Sequence, residues 1–164
     1  RRKAGKRCRF PLFSLKGIFM KKILVLNGPN LNMTGIRKKD VYGSETLDDI
    51  NAQLAEYAAE KGCELSFFQS NHEGAIIDKI QQSRNEADGV VINAGAYTHY
   101  SYAIRDAIES VADYLPFVEV HMSDIHSREP FRSNSVITDV CKKQICGHGK
   151  GSYKMGIDLL LEIL

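Results

Sequence analysis

The sequence predicts an open, parallel α/β sheet of five strands with helices on both faces, and three observations predict it. Short apolar runs alternate with longer amphipathic stretches from Met20 to Leu164. The third run, 89–92, is apolar without interruption, as a strand covered on both faces must be. Each of the first four runs ends in a polar tail. Repeated βα units of this kind build a doubly wound sheet, and five strands in roughly 145 residues suit the flavodoxin-like order 2-1-3-4-5. An eight-unit βα barrel needs about 250 residues, more than the 164 present.

The elements follow in order. Residues 23–26 form the first strand. Thr46 caps a helix that runs to about Lys61, with Asp48 and Asp49 in its first turn and Leu47, Ile50, Leu54 and Tyr57 at helical spacing. Gly62 ends it. Residues 65–69 form the second strand and 74–84 the second helix, with Ile76, Ile77 and Ile80 on one face. The third strand is 89–92 and the third helix 101–112; Pro116 then resets the chain. The fourth strand is 117–120. An irregular stretch, 122–140, precedes a fifth strand at 144–146 and a terminal helix at 152–164.

Charge divides the chain. Residues 1–19 hold seven Lys/Arg and no acid, which leaves 15 Lys/Arg against 20 Asp/Glu in the remainder. The domain at 20–164 is therefore net acidic, which argues against nucleic acid as its partner. Residues 1–19 read as a basic extension outside the domain, an upstream or appended tail ahead of the others considered: a transit peptide, or an arm for nucleic acid or an anionic membrane. No apolar run reaches transmembrane length. Cys8, Cys63, Cys141 and Cys146 form no CxxC and no Cys/His metal spacing. They read as reduced, buried thiols of a cytoplasmic protein.

Ligands of open parallel sheets bind beyond the carboxyl ends of the strands. The polar tails there are Asn27-Gly-Pro-Asn30, Gln69-Ser-Asn-His-Glu73, Asn93-Ala-Gly-Ala-Tyr-Thr-His99 and His121-Met-Ser123. All four are expected to converge on one pocket. In the third, Asn93 and His99 supply different hydrogen-bonding groups, and Asp106, seven residues on, is expected to share a helix face with His99. Taken alone, Asp106 reads as an ordinary surface acid. In the fourth, Glu119 and His121 alternate along a strand and face the same side. A carboxylate beside an imidazole orients it and favours its protonated form, so His121 is a candidate general acid. Backbone N–H groups at Met122 and Ser123, and the planar fork of Arg132, suit a carboxylate. Arg128 lies close by in sequence; His126 is given no chemistry.

The loop after the first strand carries Arg37 five residues before Tyr42 between glycines. A phenol is a poor base near neutrality, with a pKa of about 10. A nearby guanidinium favours the phenolate, and loop closure would strengthen that effect by expelling water. By itself the loop reads more readily as an exposed basic turn. GxGxxG, Walker and GxSxG motifs are absent, as is any convincing metal-ligand cluster. The remaining chemistry is cofactor-free acid–base work on a small anion. The main alternative is a non-catalytic flavodoxin-like module that binds a small anion.

The segments LNGPNLN, GIR…VYG, FFQSNHEG, INAGAYTHYSYAIRDA and VEVHMSDIHSREPFR resemble the type II 3-dehydroquinate dehydratases, in order and from about Met20 to Leu164. The resemblance implies a hydro-lyase that converts 3-dehydroquinate to 3-dehydroshikimate by anti elimination through an enolate, without cofactor or metal. The setting is the shikimate route to aromatic amino acids, or quinate breakdown. It implies a homododecamer built from trimers. By position, Tyr42 resembles the base, Arg37 its supporting cation, Asn93 the holder of the enolate and a water, and His121 the acid oriented by Glu119. His99, Asp106 and Arg132 match hydroxyl-binding positions, Met122 and Ser123 the carboxylate site, and Arg128 an arginine at the rim. Departures from the family pattern are Ala94 for a common proline, Asp124 for asparagine, Lys38-Lys39 for Glu-Pro, and the segment GHGKGSYKMG. Of these, Ala94 is expected to loosen the turn at Asn93 and the lysines to alter loop closure.

Overall fold

The computed structural model describes residues 20–36 and 44–164. The basic stretch 1–19, Arg37, Lys38, Lys39 and Tyr42 lie outside the described residues. The first apolar run extends both ways into β1 (Lys21–Asn27). Helix α1 (Leu47–Glu60) begins on a capping box. Thr46 Oγ1 accepts the Asp49 N–H at 3.1 Å, and the Asp49 carboxylate accepts the Thr46 N–H at 2.9 Å. Lys61 closes the helix, and Gly62 follows at φ +74°. The chain continues through β2 (Cys63–Gln69), α2 (Glu73–Ser83), β3 (Gly89–Asn93), a 3₁₀ turn (Gly95–His99) and α3 (Tyr102–Glu109). Then come β4 (Phe117–His121), β5 (Lys143–Cys146) and α4 (Gly151–Ile163). The irregular stretch between β4 and β5 contains three 3₁₀ turns, at Ile125–Ser127, Pro130–Ser133 and Thr138–Val140.

All strand pairs are parallel, in the order β2-β1-β3-β4-β5. This is the expected flavodoxin-like sheet. The strands run longer than their apolar runs because ladder pairing carries them into polar residues: Lys21 pairs with Cys63, and Asn27 with both Gln69 and Asn93. Helix α3 is shorter than its periodicity predicts. The Ser110 hydroxyl donates to the Ala107 carbonyl at 2.7 Å, which gives the chain a local alternative to another helical turn.

Side-chain alternation along β1 divides the core into two layers. Ile23 and Val25 pack with Leu54 of α1 and Ile157 and Leu160 of α4. Leu24 and Leu26 pack with Ile76 and Ile80 of α2 and Ile104 and Ile108 of α3. Both faces of the sheet are thus covered, which is why β1 and β3 carry no polar alternation. Only Cys63 of the described cysteines is fully buried; Cys141 and Cys146 are half-buried, and all three are free thiols. The expectation of buried thiols therefore holds for one of them. Both half-buried thiols lie at or near edge strand β5, which has a neighbour on one side only. Among the described residues, no helix is long and apolar enough to cross a membrane.

Two backbone approaches shape the end of the sheet where the strands finish. At the tip of β1, the Gly28 N–H donates to the Asn93 carbonyl at 2.7 Å. A Cβ at Gly28 would lie 2.3 Å from the Ala94 carbonyl oxygen, so only glycine fits. Farther on, Gly35 sits at φ +81°, where a Cβ would lie 2.6 Å from the Glu45 carbonyl oxygen. Lys150 holds Glu45 there at 2.7 and 2.8 Å. We expect Gly28→Ala to separate the tips of β1 and β3 and to cost about 1–3 kcal/mol. Urea unfolding checks this; an unchanged midpoint would contradict the close approach.

Candidate active site

A cavity of about 140 Å³ opens at the carboxyl ends of β1, β3 and β4. Its lining includes Asn30 and Leu31 after β1, Asn93 and His99 after β3, and His121, Met122 and Ser123 after β4. Arg128 and Arg132 close one side. The strand order explains the position: chain connections from β1 and β3 run to opposite sheet faces, so a crevice opens between them.

Each wall is held by identifiable bonds. Asn93 is 3% exposed, and its Nδ2 donates to the Tyr153 hydroxyl at 2.8 Å. Tyr153, on α4, donates its single hydroxyl proton to Asn27 Oδ1 at 2.6 Å. The Gly95 N–H at 3.3 Å from Asn93 Oδ1 sets which way round the amide sits. Burial pushes the Tyr153 phenol far above its ordinary pKa, so it remains a neutral donor. Ala94 is fully buried beneath the Gly28 contact, and Asn93 is held through both its backbone and its side chain.

Glu119 and His121 lie side by side on β4, as alternation requires. His121 Nε2 is 2.7 Å from Glu119 Oε1. Glu119 has no exposed surface. Its carboxylate also accepts the Ser135 hydroxyl at 2.8 Å and the Thr138 hydroxyl at 2.5 Å. Burial pushes this carboxyl up, but His121, Thr138 and Ser135 together outweigh it and hold the group below the ordinary glutamate value. An acceptor-only carboxylate makes Nε2 the donor, so Nδ1 is the ring nitrogen not engaged by Glu119. The exit from β4 is fixed by the start of α4: Ser152 donates to the His121 carbonyl at 2.8 Å, and the Gly149 N–H to the Met122 carbonyl at 2.9 Å.

His99 stands across the cavity. Its Nδ1 lies 2.8 Å from the Asn134 carbonyl, so the proton sits on Nδ1 and Nε2 presents a lone pair. Burial lowers the pKa of His99, against the opposing pull of that carbonyl. Arg132 is aimed by Glu129, 2.7 Å from its Nε, and by the Phe131 ring, 4.8 Å below its guanidinium. Arg128 donates to Ser123 Oγ at 3.3 Å.

Two expectations need correction. Asp106 does not share a helix face with His99, because Tyr100 and Ser101 leave helical geometry between them, at φ −152° and ψ 92° respectively. Asp106 is 75% exposed beside Arg105 and is not among the cavity's lining residues. The tail of β2 does not reach the cavity either. Its Asn71 braces the wall from behind, accepting the Asn30 N–H at 2.8 Å on its side chain and the Tyr97 hydroxyl at 3.0 Å on its carbonyl. Sequence reasoning missed Ser135, Thr138, Gln144 and Tyr153, whereas Asn30 lines the cavity as the NGPN tail predicts. Asp124, an expected departure, caps a 3₁₀ turn by accepting the His126 N–H at 3.0 Å.

The fold and cavity define a doubly wound α/β protein with a polar, histidine-lined cavity at the carboxyl edge of its sheet. The family model for dehydroquinase class II matches residues 21–161. A 3-dehydroquinate dehydratase of Caldicellulosiruptor bescii is 54% identical over 146 residues, covering 88% of this chain and 99% of that protein. One from Bacillus cereus strain AH187 is 51% identical, with 88% and 98% covered. Among solved structures, the type II dehydroquinase of Butyrivibrio crossotus superposes with a TM-score of 0.84 at 53% identity, over 87% of this chain and 98% of that one. The chain belongs to the class II dehydroquinases.

The lowered Glu119 value sets a pH dependence of stability. Its contribution is complete above the unfolded carboxyl value of about 4.3 and is lost as pH falls through the lower folded value. Urea midpoints followed from about pH 7 to pH 3 should fall less across that acid window in Glu119→Gln than in the unaltered protein. Equal falls would refute the paired, ionised state.

Proposed function

We propose that this chain is a 3-dehydroquinate dehydratase of type II that works through an enolate, with Tyr42 as base and His121 as acid. The observation that carries the reading is the buried Glu119–His121 pair at 2.7 Å on the cavity wall, because a passive binding module has no need of an oriented proton donor. The proton alpha to the ketone leaves to the Tyr42 phenolate, which Arg37 supports. The electron pair passes onto the ketone oxygen, which the Asn93 amide faces. The electrons then return to form the carbon–carbon double bond as the beta C–O bond breaks. His121 donates the proton that turns the departing hydroxyl into water. Met122 and Ser123 receive the substrate carboxylate; His99, Arg132 and Arg128 face its hydroxyl groups and the rim.

Asp106 matches a hydroxyl-binding position yet is exposed on its own chain. The two facts agree where a neighbouring copy supplies the cavity, which suits an assembly of trimers grouped as a dodecamer. We place the enzyme in the cytoplasm, in the shikimate route to aromatic amino acids or in quinate breakdown, and take residues 20–164 as its single catalytic domain.

Mixing the protein with 3-dehydroquinate should produce the ultraviolet absorbance of the conjugated enone. Folded oligomer that gives no such signal would return the chain to the anion-binding alternative. We expect Tyr42→Phe to lose at least about a hundredfold in turnover while still binding substrate, the scale of one positioned acid–base group. His121→Ala should lose as much while retaining exchange of the alpha proton. Near-native turnover in either variant contradicts its assignment.

A further inference from the structure

We propose that Ser135, Thr138 and Gln144 form a positioning relay that keeps Glu119 ionised and thereby holds His121 as a proton donor from Nδ1. This inference rests on the assignment of His121 as the acid.

The direction of each bond follows from proton bookkeeping. A hydroxyl has one proton and lone pairs that accept. Gln144 Nε2 donates to Thr138 Oγ1 at 2.8 Å, so the Thr138 proton is directed to Glu119 Oε2 at 2.5 Å. The Ile137 N–H donates to Ser135 Oγ at 3.3 Å, so the Ser135 proton is directed to Glu119 Oε1 at 2.8 Å. Both carboxylate oxygens therefore face committed donors, and Oε1 faces His121 as well. A protonated Glu119 would bring a further hydrogen into a site already filled with them. The relay thus opposes protonation of Glu119 and transfer of the His121 proton back onto it.

Cost and function separate here. Burial alone raises the pKa of this carboxyl, and Thr138 and Ser135 add to His121 in opposing that rise. A neutral Glu119 could still touch His121 but would no longer present it with a full negative charge. Gln144 lies on β5, which pairs with β4 through Glu119 itself. The edge strand therefore reaches the acid without touching the cavity.

Other charged or titratable groups also face the pair. His99 interacts electrostatically with both Glu119 and His121 and with Arg132. Cys141 and Cys146 sense the Glu119 charge from the β4–β5 connection and from β5, and Asp124 stands beside Cys146. Burial raises both thiols, so they add no competing negative charge.

The test compares Thr138→Val, Thr138→Ser and Ser135→Ala in the full chain. In Thr138→Val the acid limb of the kcat–pH profile should move up by about one unit, equivalent to about 1.4 kcal/mol. At fixed low pH, kcat should fall about tenfold with KM held. Thr138→Ser should restore the native limb, and Ser135→Ala should shift it in the same direction as Thr138→Val. Should Thr138→Val fail to fold, Ser135→Ala and imidazole ¹⁵N shifts of His121 in that variant carry the same reading. Native pH profiles in Thr138→Val and Ser135→Ala, alongside an inactive His121→Ala, would overturn the relay and leave the acid assignment intact. An active His121→Ala would overturn both.

Discussion

A carboxylate with no exposed surface stands in the middle of β4, and the cavity side of the structure is arranged around it. Taking such a charge out of water costs several kcal/mol unless partners compensate it. Glu119 meets three, from His121, Ser135 and Thr138. Two of these come from the irregular connection between β4 and β5, so that connection must follow the sheet edge. Its course has consequences beyond Glu119. The Val136 N–H donates to the Thr98 carbonyl at 2.9 Å, and the Asn134 carbonyl meets His99. One buried charge thus fixes a stretch that has almost no regular structure of its own.

Helix α4 supplies the second constraint. A covering helix needs only an apolar face, and Ile157 and Leu160 provide that. Its first turns also bind the exit of β4 through Ser152, and Tyr153 joins the tips of β1 and β3. Because a phenol has one proton, the two asparagines cannot both accept from it. The Gly95 N–H resolves the choice by claiming Asn93 Oδ1. The Asn93 amide therefore has a defined orientation before any ligand enters, which is the preorganisation that stabilising an oxyanion requires.

The legibility of these features in the sequence follows from their range. Strands and helices were readable because their signals are local: apolar runs, helical spacing, and Thr46 three residues before Asp49. Strand order followed from the repeated βα pattern. The Glu119–His121 pair was readable because alternation along one strand is also local. Ser135, Thr138 and Gln144 carry no periodicity, and only the path of the chain brings them to Glu119. Tyr153 is indistinguishable in sequence from any aromatic on a buried helix face. The misplacement of Asp106 has the same origin: spacing predicts a shared face only while the helix continues, and the backbone at Tyr100 interrupts it. The β2 tail was a different kind of error. The order 2-1-3 already places the crevice between β1 and β3, with β2 beyond it.

The two imidazoles of the cavity differ in what holds them. His99 donates from Nδ1 to a backbone carbonyl, a neutral acceptor, in surroundings that disfavour a positive ring. His121 donates from Nε2 to a full negative charge. The first arrangement leaves an Nε2 lone pair, suited to accept a hydrogen bond from a hydroxyl. The second leaves Nδ1 as the ring nitrogen that Glu119 does not engage. Under the proposed assignment these two identical side chains, facing one small cavity, take opposite parts, acceptor and donor. The difference lies in their partners, and those partners sit a few residues apart in one connection: the Asn134 carbonyl for His99, and the Ser135 and Thr138 hydroxyls that keep Glu119 charged for His121. Displacing that connection would disturb both histidines together, so their separate roles depend on one piece of backbone.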